Sequence, residues 1–322
     1  MSITGIGSYD ATTGEFNVNW EQANLELAPA GLLLAGDYTQ ASFETDRTQL
    51  LALIAAATEA AADARDTATA RDVLKSALLA RGKQLRGAIL SKVVDNSYLK
   101  DLVALPNFTD TQSKFIDPLN ALERLWAKIN AAGAALQLSA DITLQGDYTQ
   151  AMFAADLTQL GADYYAANQA EENTGFARTT RNNAMAAIYE RMKQYRAGAT
   201  SALPKNSPAL ANLPRLTPAA GTTPPALVIE GVWDNAIGKA VFTFPASTAK
   251  NLLKLQARGC TGTTYRGENE EFIADLLPDA TRFETDWGLG APGAKICVKI
   301  YVMTTTGNEN GGKAVKIVRP MV

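Results

Sequence analysis

Few residues in this chain could do chemistry. It has no histidine and two cysteines, Cys260 and Cys297. Without an imidazole there is no base for a Ser-His-Asp or Cys-His nucleophile pair. Zinc sites built on histidine and the Glu-x-x-His di-iron motif of four-helix bundles are excluded with it. The cysteines stand 37 positions apart, with no CxxC spacing that would suit a structural metal. Gly288-Leu289-Gly290-Ala291-Pro292-Gly293 spells G-x-G-x-x-G. A dinucleotide loop needs a strand before it and a helix after it, with its amides aimed at the pyrophosphate; here Pro292 removes an amide and a strand pattern follows. Gly238-Lys239 lacks Walker spacing. No catalytic residue, cofactor or metal site is expected, and the chain reads as a non-enzyme.

Charge and hydropathy narrow the partners. The net charge of −3 comes from 30 basic and 33 acidic residues spread along the chain, without the basic stripe that phosphate neutralisation needs. Nucleic acid is not an expected partner. The opening MSITGIGSYDATTGEFNVNW has neither a positive n-region nor an apolar h-region. No later run approaches the roughly 20 apolar residues of a membrane span. The expectation is no signal peptide and no membrane insertion, with the compartment left open.

The elements that would position any site are organised by a duplication. GDYTQASFETDRTQL from Gly36 and GDYTQAMFAADLTQL from Gly146 agree at eleven of fifteen positions. The alignment continues through Arg71 with Arg181 and Arg81 with Arg191, then Lys83-Gln84-Leu85-Arg86 with Lys193-Gln194-Tyr195-Arg196. The repeats span 36–109 and 146–217, a domain duplication rather than a solenoid. Each carries apolar residues at alternating steps of three and four, such as Phe153, Leu157, Leu160 and Tyr164, the seam of a packed helix. Between the seams lies a weak, Ala-rich middle. Two readings fit it: one rod of about 50 residues, because the seam stays in phase, or a hairpin turning near Asn173-Thr174-Gly175. The hairpin is the expectation, so that two of them build a four-helix bundle. Asp37 with Gln40, and Asp147 with Gln150, have capping-box spacing and predict helix starts. Tyr38, Tyr148 and these aspartates as a duplicated ligand site are the lesser reading. A connecting helix is expected over 111–132, with Leu119, Leu122, Leu125, Trp126 and Ile129 on one face.

A Pro-rich strap over 204–225 then separates the helical region, 31–203, from a segment whose period is two. ALVIEGVW, GKAVFTFPAS, NLLKLQARGC, EEFIADL, TRFETDW, AKICVKIYVMTT and KAVKIVRP are seven strand candidates within 226–322. They predict an immunoglobulin-like sandwich resembling a fibronectin type III domain, with Trp233 in its core. In that arrangement the strands carrying Cys260 and Cys297 are antiparallel neighbours, and both thiols face outward on one sheet. A cross-strand disulfide and two free surface thiols both remain open. The Lys-Gln-x-Arg helix ends, the LPRLTPAAGTTPP strap and the closing TTGNENGGKAVKIVRP resemble a family of uncharacterised bacterial proteins. Its members join a duplicated Ala-rich helical region to a carboxy-terminal fibronectin type III-like domain. The resemblance implies this architecture and brings no activity with it.

Residues 1–30 read as a β segment: SYDATTGEFNVNW suggests two short strands around an Ala-Thr-Thr-Gly turn, with Tyr9 opposite Phe16. An isolated hairpin is marginal in water, so it should add to this chain's own sandwich or to a second copy. The fold class is therefore α+β and multidomain: helical hairpins in a four-helix bundle with a capping helix, then the sandwich, with a short amino-terminal β segment. The expected function is a structural protein that associates with itself into a filament, sheath or surface array, with Tyr9, Phe16, Val18 and Trp20 as assembly residues. The alternative is a monomeric binding module whose sandwich recognises a glycan or a protein through Tyr265 and Trp287. Against it, these two read more readily as turn anchors than as a binding face.

Overall fold

The seams build helices longer than the hairpin reading allowed. The structure is a computed structural model that describes residue 3 and residues 5–217, 223–305 and 307–321. Residues 218–222 of the strap lie outside the described residues. The helices are α1 (Tyr9–Glu26), α2 (Gln40–Lys92), the single turn α3 (Asn96–Leu99), α4 (Gln112–Ala131), α5 (Gln150–Ala202) and the single turn α6 (Pro208–Ala211). Each repeat thus contributes one unbroken helix of 53 residues, α2 and α5, in place of a hairpin. The weak middle does not turn because its small residues are themselves the packing. Ala57, Ala61, Ala167 and Thr174 are buried, and the Thr174 hydroxyl donates to the Ala60 carbonyl at 2.8 Å. Small side chains let two helices approach closely, so a seam can continue without large apolar residues.

The chain divides into two compact units, Ala61–Asn173 and Met1–Ala60 with Thr174–Val322. In the first, the second half of α2 (Leu78, Leu85, Ile89), α4 (Phe115, Leu119, Leu122, Trp126, Ile129) and the first half of α5 (Phe153, Leu160) form one core. In the other, the first half of α2 (Phe43, Leu50), α1 (Phe16, Trp20, Ala23) and the second half of α5 (Ile188, Met192, Tyr195) form a second core of the same design. Each core therefore combines halves of both repeats.

The amino-terminal segment is helix α1, which corrects the strand-pair reading. Its buried residues, Tyr9, Thr12, Thr13, Phe16, Asn19, Trp20 and Ala23, follow helical spacing. The β-prone Thr, Phe, Val and Trp side chains suggested strands, but burial of one apolar stripe against a core outweighs propensity. The role of α1 is that of α4. Trp20 Nε1 donates to Leu32 O at 3.1 Å and Trp126 Nε1 to Ile142 O at 2.9 Å. Likewise Asn24 Oδ1 accepts from Leu32 N at 2.8 Å and Asn130 Oδ1 from Ile142 N at 2.9 Å. The duplication therefore extends amino-terminally through both helices.

The second unit also holds the sandwich. Its strands are β1 (Glu230–Asp234), β2 (Lys239–Thr243), β3 (Leu252–Thr261), β4 (Glu271–Leu276), β5 (Arg282–Thr285), β6 (Lys295–Thr304), β7 (Glu309–Gly311) and β8 (Val315–Val318). They include all seven expected strands, plus the three-residue β7. One sheet is ordered β1-β2-β5, the other β4-β3-β6-β7 with β8 also on β6; every pairing is antiparallel. Phe242, Phe283, Leu255, Ala257, Val298 and Ile300 fill the space between them. This is an immunoglobulin-like sandwich of the fibronectin type III kind, with alternating residues turned inward.

Candidate functional site

The duplicated motif resolves into two equivalent clamps. Leu34 and Tyr38 exchange backbone hydrogen bonds across a tight turn in which Gly36 and Asp37 have φ of 79° and 55°; Gly146 and Asp147, at 77° and 55°, repeat it beside Leu144 and Tyr148. Two consecutive left-handed residues explain the Gly-Asp pair, since both types tolerate that region. Asp37 and Asp147 are consequently turn residues and not helix caps. The caps are Thr39, whose Oγ1 accepts from Ser42 N at 3.1 Å, and Thr149, which accepts from Met152 N at 3.3 Å. Gln40 and Gln150 reach instead to Asn17 of α1 and Glu123 of α4.

Tyr38 donates to Asp46 at 2.6 Å, and Tyr148 to Asp156 at 2.5 Å. Above the Tyr38 ring lies the Arg191 guanidinium, 4.2 Å from its centroid; Arg81 covers Tyr148 at 4.3 Å. Each arginine comes from the other repeat and also donates to a turn carbonyl, Ala35 or Gln145. Burial, and then the neighbouring aspartate, push both phenols well above their ordinary pKa, so they stay protonated as donors. These groups are engaged with one another, and the motif is repeated because each copy clamps the other.

Of the four expected assembly residues, Phe16 and Trp20 are fully buried and Tyr9 nearly so. Trp20 stacks on Tyr195 at 4.8 Å between centroids. Only Val18 stands at the surface, 66% exposed, with Leu25 at 68% two turns further on. The sequence reading missed Leu25; the helical spacing from Val18 is the signal that finds it. A groove of about 670 Å³ runs beside Val18 between α1 and α6, lined by Gly14, Val18, Gln22, Pro208, Asn212 and Pro214 among others. On α4, aligned by Trp20 with Trp126 and Asn24 with Asn130, the residues at the places of Val18, Gln22 and Leu25 are Arg124, Lys128 and Ala131, all exposed.

On the sandwich, the two expected partner-binding residues lie on opposite faces of one sheet. Trp287 packs inward: a Cβ placed on Gly259 would meet its ring at 2.9 Å. Tyr265 lies on the outer face, under Lys299 at 4.3 Å, with its hydroxyl on Glu270. They do not make one stacking platform. The outer face carries instead an ionic cluster that sequence patterns gave no sign of. Arg258 reaches Glu309 at 2.6 Å and Glu270 at 3.0 Å, and Tyr301 donates to Glu270 at 2.5 Å. Burial opposes the Arg258 charge, but the two carboxylates more than offset it and hold the guanidinium ionised. The chain crosses this cluster at Gly5, where a Cβ would stand 3.0 Å from Glu309 and 3.2 Å from Arg258.

Cys260 and Cys297 are directly opposed in the β3–β6 register, on the outer face as expected, but they are buried rather than at the surface, and both are free thiols. Gly262 N donates to Lys295 O two pairs along, which makes this a hydrogen-bonded pair. Such pairs have Cα atoms about 5.5 Å apart, within disulfide range. Cys260 Sγ contacts Thr264 O at 3.5 Å and Cys297 Sγ contacts Gly262 O at 3.7 Å. Burial raises both thiol pKa values, away from nucleophilic thiolate. The G-x-G-x-x-G string is a turn with Leu289 buried in the core, its Leu289 and Gly290 carbonyls held by Arg319 at 2.9 and 2.6 Å. Among the described residues no group of three or more cysteines and carboxylates could hold a metal ion. No described helix is long and apolar enough to cross a membrane.

No protein-family model and no curated protein matches the chain. Among solved structures it is similar to an Fn3-like protein from Clostridium thermocellum, at 16% identity and a TM-score of 0.25, over 31% of this chain and 97% of that one. It is also similar to the pectate lyase PelI from Erwinia chrysanthemi, crystallised with tetragalacturonic acid, at 13% identity and a TM-score of 0.25. That match covers 29% of this chain, and the chain spans under a third of the lyase, 28%.

Proposed function

We propose that this is a non-enzymatic structural protein that associates with copies of itself into a filament, sheath or surface array. The observation that carries the reading is the outer face of α1, where Val18, which lines an open groove, and Leu25 stand exposed while the equivalent helix α4 carries cations at the places of Val18 and Gln22. Two helices in equivalent places thus offer different outward faces, and exposed apolar residues rimmed by polar ones mark a contact surface. The polar groups of the clamps and of the Arg258 cluster are engaged in holding the fold, which supports a structural role over catalysis.

Light scattering and negative-stain microscopy across a concentration series test it. Particles that grow with concentration are the expected result. A monodisperse chain of 34.3 kDa at every concentration would rule the reading out. Attention would then move to partner recognition by β4, an edge strand with Phe272 55% exposed and Leu277, just beyond it, 72% exposed.

A further inference from the structure

The α1 face carries charge as well as apolar surface. Its 18 residues include Asp10, Glu15, Glu21 and Glu26 and no cation. Asp10 pairs with Arg47, and Glu26 accepts from Ala209 N, both within the chain. Glu21 stands between Val18 and Leu25 on the exposed side. Two such faces brought together would set like charges against each other, which disfavours a symmetric α1–α1 contact. The face that offers cations is that of α4, whose residues also include Asp117 and Glu123. There Arg124 and Lys128 are exposed, and Lys128 meets Asp101 only at 3.6 Å, with both side chains more than half exposed.

We infer that the α1 face of one copy docks on the α4 face of the next, with Val18 and Leu25 against the apolar stems of Arg124 and Lys128 and the Glu21 carboxylate beside their charged ends. Long basic side chains offer both an aliphatic stem and a cation, so one face satisfies both needs. The contact joins two different patches and is heterologous, so it propagates into a filament or closes into a ring. The inference rests on the self-association proposed above and names its two halves. One face of an 18-residue helix buries well under the roughly 800 Å² per partner of a standard interface, so assembly depends steeply on concentration.

The experiment uses full-length protein in two variants, Val18→Glu with Leu25→Glu, and Arg124→Glu with Lys128→Glu. All four positions are exposed, and circular dichroism checks that each variant keeps its helix content. The expected result is that each variant alone needs at least tenfold more protein than wild type to assemble. An equimolar mixture should give a discrete particle of twice the 34.3 kDa chain mass and no larger species, because each pair has one working contact and two blocked ends. Wild-type-like assembly by the Arg124/Lys128 variant, or a mixture that stays monomeric, would overturn the inference while leaving self-association intact. Wild type that never assembles would remove both.

Discussion

The residues that repeat most faithfully here are the ones most occupied with each other. Tyr38 with Asp46 and Arg191, and Tyr148 with Asp156 and Arg81, form the same clamp twice. The two copies of Gly-Asp-Tyr were plain in the sequence. That each tyrosine is covered by the other copy's arginine was not, because a one-dimensional alignment does not say which repeat packs on which. Several phenols are held protonated by their surroundings, with a consequence for alkaline stability. Tyr301 is pushed up to about 12, chiefly by burial and then by its bond to Glu270. Its folded pKa lies above the ordinary value near 10, so the folded state binds the proton more tightly than the unfolded state does. The stabilisation is therefore complete below about pH 10 and is lost as pH rises from there toward 12. Denaturant unfolding at pH 9 and pH 11 should show wild type losing more stability than Tyr301→Phe; equal losses would remove this phenol from the account.

At the scale of elements, the choice between rod and hairpin turned on Asn173-Thr174-Gly175. Gly175 invited a turn because glycine marks turns more often than helix interiors. In the structure it lies within α5, and a Cβ added there meets nothing within 4 Å. Gly175→Ala should accordingly stabilise the protein by about 0.5–1 kcal/mol, since alanine reduces the freedom of the unfolded chain and fits a helix. A thermal melt decides it, and a fall in Tm would point back to a turn. The phase of the seam, unbroken through the Ala-rich middle, was the correct signal. It was outweighed by the absence of large side chains, whose place is taken by close approach of Ala57, Ala61, Ala167 and Thr174 to their neighbours. For α1 the error had the opposite sense: local propensity suggested strands while the spacing of Phe16, Trp20 and Ala23 was already helical.

For the molecule as a whole, α1 belongs to the core rather than to an assembly arm. Deleting residues 1–20 should therefore damage the fold itself. It removes Phe16 and Trp20, both fully buried, and losing one such aromatic typically costs about 3–5 kcal/mol. Circular dichroism of the truncated chain should show lost helix and a broadened melt beside intact β signal. Full helix content with a sharp melt would mean that α1 is dispensable. Sequence alone determined the duplication, the helical region followed by a sandwich, the seven main strands, and the exclusion of histidine chemistry. These follow from residue type and from periods of 3.6 and 2, which a chain carries locally. Only the tertiary structure decided that each core joins halves of both repeats, that Trp20 is buried while Val18 is not, and that Arg258 meets Glu309 and Glu270. Each of those depends on which distant surfaces exclude water together, and no local pattern records that.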